Sequence, residues 1–66
     1  MNILLNGQPL EIPDDFTLAN LVESRGLSGR RLAVEVNREV VPRSRYPQHP
    51  LNPNDRVEIV HAIGGG

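Results

Sequence analysis

Met1-Asn2-Ile3-Leu4-Leu5-Asn6-Gly7-Gln8-Pro9-Leu10-Glu11-Ile12 is the stretch that decides the fold. A short apolar run ends at Asn6-Gly7, a dipeptide suited to the two φ > 0 positions of a type I′ turn, and the chain then returns as a β-hairpin. Pro9 has no amide hydrogen to give to a ladder, which assigns the returning strand to a sheet edge. The first strand is then free to lie further inside.

Beyond Pro13-Asp14-Asp15, apolar residues at Leu18, Ala19, Leu21 and Val22 follow the helical period. Thr17 is the expected N-cap, and Phe16 before it can pack on Leu21 as a hydrophobic staple. Asp14 and Asp15 fall near the positive end of this helix, and Gly26 can adopt the left-handed conformation that closes its last turn.

After a Ser28-Gly29-Arg30-Arg31 loop, Leu32-Ala33-Val34-Glu35-Val36 alternates with period two, Asn37-Arg38 reverses the chain, and Glu39-Val40-Val41 completes a second hairpin. Four prolines between positions 42 and 53 predict a long loop without regular structure. Asn52-Pro53-Asn54-Asp55 reads as a turn and Arg56 to His61 as the last strand. The order strand, strand, helix, strand, strand, strand requires the helix to cover one sheet face, because neither apolar surface is hidden alone. Setting the last strand beside and parallel to the first satisfies the edge position of Pro9. The result is an α+β fold of the β-grasp type: a mixed sheet of four to five strands with one main helix. The expected core is Ile3, Leu5, Ile12, Phe16, Leu18, Leu21, Val22, Leu32, Val34, Leu51, Val57 and Ile59.

The chain has 66 residues, so it is read as a single domain over residues 1–66, too small for a large internal active site. Seven arginines, no lysine and eight carboxylate side chains leave a formal charge of −1, which lacks the basic excess of a nucleic-acid binder. Phe16 and Tyr46 are too few aromatics for a base-stacking platform. Ile3-Leu4-Leu5 is too short for a signal peptide or a membrane span, so a cytoplasmic protein, monomeric when free, is expected. With no cysteine, thiolate catalysis and thiolate metal sites are excluded.

Catalysis needs convergent titratable groups, and the sequence offers none. His49 lies in the proline segment and His61 ends a strand, neither at ligand spacing from a second histidine. Ser24, Ser28 and Ser44 have no evident base partner. Arg30-Arg31 and Arg43-Ser44-Arg45 are read as solvated surface that can pair with acids on a partner. No catalytic residue, metal site or bound cofactor is expected.

Gly64-Gly65-Gly66 is the remaining signal. These glycines follow directly from the last strand, and residues 62–66 are expected to form an extended, flexible tail reaching about 17 Å at ~3.3–3.6 Å per residue. Without side chains, such a backbone can enter a narrow slit and bring a terminal carboxylate to a nucleotide α-phosphate in another protein's active site. A carboxylate is a poor acylating group until adenylation converts its oxygen into a leaving group, after which a sulfur or nitrogen nucleophile can attack. Every catalytic group can then belong to the partner.

The opening Met1-Asn2-Ile3-Leu4-Leu5-Asn6-Gly7, the helix start Thr17-Leu18 with Leu21, the run Val36-Asn37-Arg38-Glu39-Val40-Val41-Pro42-Arg43 and the ending Asp55-Arg56-Val57-Glu58-Ile59-Val60 to Gly64-Gly65-Gly66 resemble the ThiS family, the sulfur carriers of thiamine thiazole synthesis. The resemblance spans essentially the whole chain. It implies a ubiquitin-like β-grasp that is a protein cosubstrate rather than an enzyme. The Gly66 carboxylate would be adenylated by an E1-like adenylyltransferase of the ThiF type using ATP with magnesium. A sulfur donor such as a cysteine desulfurase would then convert it to a thiocarboxylate, which a ThiG-type thiazole synthase consumes. Gly64 and Gly65 would thread into the partner sites. Ala62 is smaller than the residue often found at its position in similar proteins.

Strand alternation turns Leu4, Val60 and Ala62 away from the helix, so Leu4, Val60, Ala62 and Ile63, edged by Arg43 and Arg45, are the expected docking residues. Two other readings share parts of this pattern. The small subunit of molybdopterin synthase has the same fold and diglycine end, and a non-carrier β-grasp interaction module would use the glycines for nothing.

Overall fold

The computed structural model describes residues 1–61. Strand β1 (Asn2–Leu5) and β2 (Gln8–Glu11) form the first hairpin, with Asn6 and Gly7 both at positive φ, 51° and 81°. Helix α1 (Leu18–Ser24) follows, then β3 (Leu32–Val36), β4 (Glu39–Val40) and β5 (Arg56–His61). The five strands are ordered β2-β1-β5-β3-β4. β5 runs parallel to β1 and antiparallel to β3, while β2, which carries Pro9, is an edge strand. This is the expected β-grasp, with the last strand at the centre.

Thr17 caps α1 through a reciprocal pair. Its hydroxyl accepts the Asn20 amide at 3.1 Å, and its own amide donates to Asn20 Oδ1 at 3.0 Å. Asp14 and Asp15 precede this end of the helix. Neither lies in the first turn; Asp14 instead faces the terminal amine of Met1 at 3.6 Å, and Asp15 takes φ 62°. The C-terminal end closes on Gly26 at φ 71°. The Gly26 amide donates to the Glu23 carbonyl and the Leu27 amide to the Val22 carbonyl, a Schellman pair.

The proline segment differs from its expectation. Residues Arg43–Gln48 wind into a 3-10 helix with Pro42 as N-cap, and the Arg45 amide donates to the Pro42 carbonyl at 2.9 Å. Proline's fixed φ suits this tighter helix, and Pro47 removes only one donor from a segment too short to depend on it. The following residues clamp the start of α1: the Leu18 amide donates to the His49 carbonyl and the Leu51 amide to the Phe16 carbonyl, each at 2.9 Å.

Among the described residues the core consists of Ile3, Ile12, Leu18, Leu21, Val22, Val34, Val36, Val41, Tyr46, Leu51, Val57 and Ile59. Leu5, Phe16 and Leu32, expected inside, are half-buried at its perimeter. Val36, Val41 and Tyr46 complete the interior. Val36 extends the inward alternation of β3 by one position, and the 3-10 helix delivers Tyr46 to the interior.

Candidate functional site

Two regions meet the description of a working surface: the end of β5, from which residues 62–66 continue, and the sheet face that α1 leaves uncovered. The end of β5 is fixed from both sides. β3 pairs with it through Val34↔Ile59, Ala33↔Val60 and Leu32↔His61. On the other side β1 stops at Leu5, and the side chain of Asn6 takes over its role. Asn6 Oδ1 accepts the Ile59 amide at 2.8 Å and Asn6 Nδ2 donates to the Ile59 carbonyl at 3.2 Å. One residue thus turns the hairpin and satisfies the edge of the central strand two residues before its described end. The Asn6-Gly7 signal identifies the turn; nothing in the local pattern announces this second use.

Alternation sends Val57 and Ile59 to the helix side and Arg56, Glu58 and Val60 to the other. The same face carries Leu4 on β1, Ala33 and Glu35 on β3 and Val40 on β4, because Leu4 pairs with Arg56, Ala33 with Val60 and Glu35 with Val40. Val40 and Val60 are the exposed large hydrophobics among the described residues, at 69% and 60% exposure, while Leu4 is half-buried opposite Pro9. Val40, Glu35 and Glu58 are not singled out by sequence patterning, because only the strand register shows that they are neighbours.

The structure separates the two arginines expected at the rim. Arg43 lies on the helix side, in a cleft of about 490 Å³ between the end of α1, the 27–32 loop and Tyr46, where its guanidinium donates to the Arg30 carbonyl at 3.4 Å. Arg45 borders a different cleft, beside Val40, Pro42 and His49. Arg45 is thus at the β4 edge of the sheet and Arg43 is beside α1. Burial raises the Tyr46 phenol above its ordinary pKa of 10.0, and the Arg43 charge partly opposes that rise. Ala62, Ile63, Gly64, Gly65 and Gly66, the expected tail and its flexibility, lie outside the described residues.

No group of three or more histidine and carboxylate side chains able to hold a metal occurs among the described residues, nor does any helix long and apolar enough to cross a membrane. His49 and His61 are on separate elements, one after the 3-10 helix and the other ending β5.

The sequence profile of the ThiS family matches residues 3–66. The chain belongs to the ThiS family. Among individual relatives, the sulfur carrier protein ThiS of Bacillus subtilis is 36% identical over 63 residues, covering 94% of this chain and 96% of that one. A thiazole synthase of Paramagnetospirillum magneticum is 39% identical over all 66 residues; this chain spans only 20% of that protein's length. The crystal structure of the thiamine biosynthesis protein ThiS from Geobacter metallireducens superposes with a TM-score of 0.86 at 26% identity, covering both chains completely. The β-grasp deduced from the hairpin and its edge proline is therefore the ThiS fold. Gly64, Gly65 and Gly66 fall within the matched segment.

Proposed function

We propose that this chain is a sulfur carrier of thiamine biosynthesis whose working atom is the carboxyl carbon of Gly66. The observation that carries the reading is the ThiS match running through residue 66. β5, the central strand of the sheet, leads directly into residues 62–66 of that match.

The chemistry proceeds in partner active sites. A carboxylate oxygen of Gly66 attacks the α-phosphate of ATP, giving an acyl adenylate and releasing pyrophosphate in a magnesium-dependent adenylyltransferase. The outer sulfur of a persulfide donor, such as that of a cysteine desulfurase, then attacks the acyl carbon and AMP departs, giving an acyl disulfide; a thiol attacks the donor's sulfur, forms a disulfide with it and releases the thiocarboxylate. Thiazole synthase takes that sulfur into the thiazole ring and returns the carboxylate. Gly64 and Gly65 serve by having no side chain, so the backbone can pass through a narrow channel. Leu4, Val60, Ala62 and Ile63 dock the body against the enzymes, with Arg45 at the β4 edge. The thiazole synthase relative, of which this chain matches a part, supports that enzyme as a partner. This role places the protein in the cytoplasm, acting as a cosubstrate rather than as an enzyme.

The test is an intact-mass measurement of the protein produced with its adenylyltransferase, ATP and a sulfide source. One oxygen should be replaced by sulfur. Extending the chain by one residue after Gly66, or deleting Gly65 and Gly66, should abolish the replacement and leave the fold unchanged. Failure of the unmodified chain to take up sulfur under these conditions would overturn the reading.

A further inference from the structure

The antiparallel register of β3 and β5 sets Glu35 directly opposite Glu58 on the uncovered sheet face. Like charges opposed across a ladder are destabilising. Neither carboxylate has a direct ion pair within the chain, since no arginine nitrogen comes within 4.0 Å of either among the described residues. On the same face the pair has three apolar neighbours and Arg56, which precedes Glu58 by two residues. Val40 stands opposite Glu35 on the β4 side, Val60 follows two residues after Glu58 on the same face, and Ala33 sits across from Val60.

A partner that covers the exposed valines must also take the two carboxylates out of water. A purely apolar partner surface would leave two uncompensated charges at the interface, a cost that exceeds what the valines return. A guanidinium at that point reverses the balance. It neutralises the repulsion already present in the free protein and can bridge two carboxylates with its planar fork of donors.

We propose that the Glu35–Glu58 rung is the charged centre of the docking face for thiazole synthase, receiving an arginine presented by an otherwise apolar patch of that enzyme. This rests on the carrier reading above and adds the partner's chemistry to it. Thiazole synthase is the occupant favoured here, because a protein of that name contains a stretch matching this entire chain.

Glu35→Gln and Glu58→Gln keep side-chain size and remove the charge, so they separate a docking role from a structural one. In the free protein the double variant should unfold at a temperature a few degrees above the parent, because the repulsion is gone. Its affinity for the thiazole synthase of the same organism, measured by calorimetry at low and at high salt, should fall about tenfold, with most of the salt dependence lost. Unchanged affinity overturns the proposal, as does a loss of affinity accompanied by a lower unfolding temperature. A loss confined to the adenylyltransferase also overturns it. Val60→Asp distinguishes this proposal from the docking reading on which it rests. If that variant alone weakens binding, the face is the docking surface but the acidic rung is not its determinant. If neither variant changes binding, both assignments fall, while sulfur uptake at Gly66 still tests the carrier function separately.

Discussion

Asp55 is the buried charged residue among those described, and it is held by amide donors rather than by a cation. Its Oδ2 accepts the Asn52 amide at 2.8 Å and its Oδ1 accepts Asn37 Nδ2 at 3.0 Å; Asn37 Oδ1 in turn accepts the Arg56 amide at 3.0 Å. The carboxylate thus ties the turn before β5 to the Asn37-Arg38 reversal between β3 and β4. Asp55→Ala should lower the free energy of unfolding by about 1 kcal/mol, because it removes the acceptor of two partly buried hydrogen bonds. Urea denaturation measures this directly. Asp55→Asn should recover only part of the loss, since its NH₂ must face one of two donors. An alanine variant as stable as the parent would mean that solvent reaches the site.

Tyr46 shows how an element can be hidden in a sequence. The Asn6-Gly7 turn, the Pro9 edge and the Thr17 cap are legible because each is a local backbone requirement met by a residue type that meets it well. The 3-10 helix over Arg43–Gln48 has no such mark: it is too short to build an apolar period, and its prolines suggest irregular chain. A lone aromatic without periodic neighbours therefore looks like surface, although Tyr46 packs into the core between the 3-10 helix and α1. Its ionisation provides a test, because it is the chain's single tyrosine and there is no tryptophan. Burial favours the neutral phenol, so the folded-state pKa lies above the unfolded value. The resulting stability is fully present below the unfolded value of 10.0 and is lost as pH rises through the higher folded value. The tyrosinate absorbance of the folded protein should titrate above that of the urea-unfolded chain, and Tyr46→Phe should flatten the alkaline decline in stability. Coincident titration midpoints would show the ring to be in solvent.

At the scale of the molecule, the strand made last occupies the middle of the sheet. β5 joins β1 on one side to β3 on the other, and its Val57 and Ile59 fill the core beneath α1. Without it the sheet separates into two hairpins, β1–β2 and β3–β4, and an isolated two-stranded hairpin is marginal in water. A chain of residues 1–54 should therefore show no cooperative thermal transition and collapsed amide dispersion in a proton–nitrogen correlation spectrum. A chain of residues 1–61 should unfold cooperatively near the midpoint of the full sequence, since it keeps every described strand and the whole described core. A cooperative transition in the shorter chain would mean that the hairpins and helix support one another without their shared strand. The outcome bears on function through mechanical continuity. The segment proposed to enter partner active sites follows the strand that holds the two hairpins together. Pulling on it therefore works against the central strand of the sheet rather than against an edge strand.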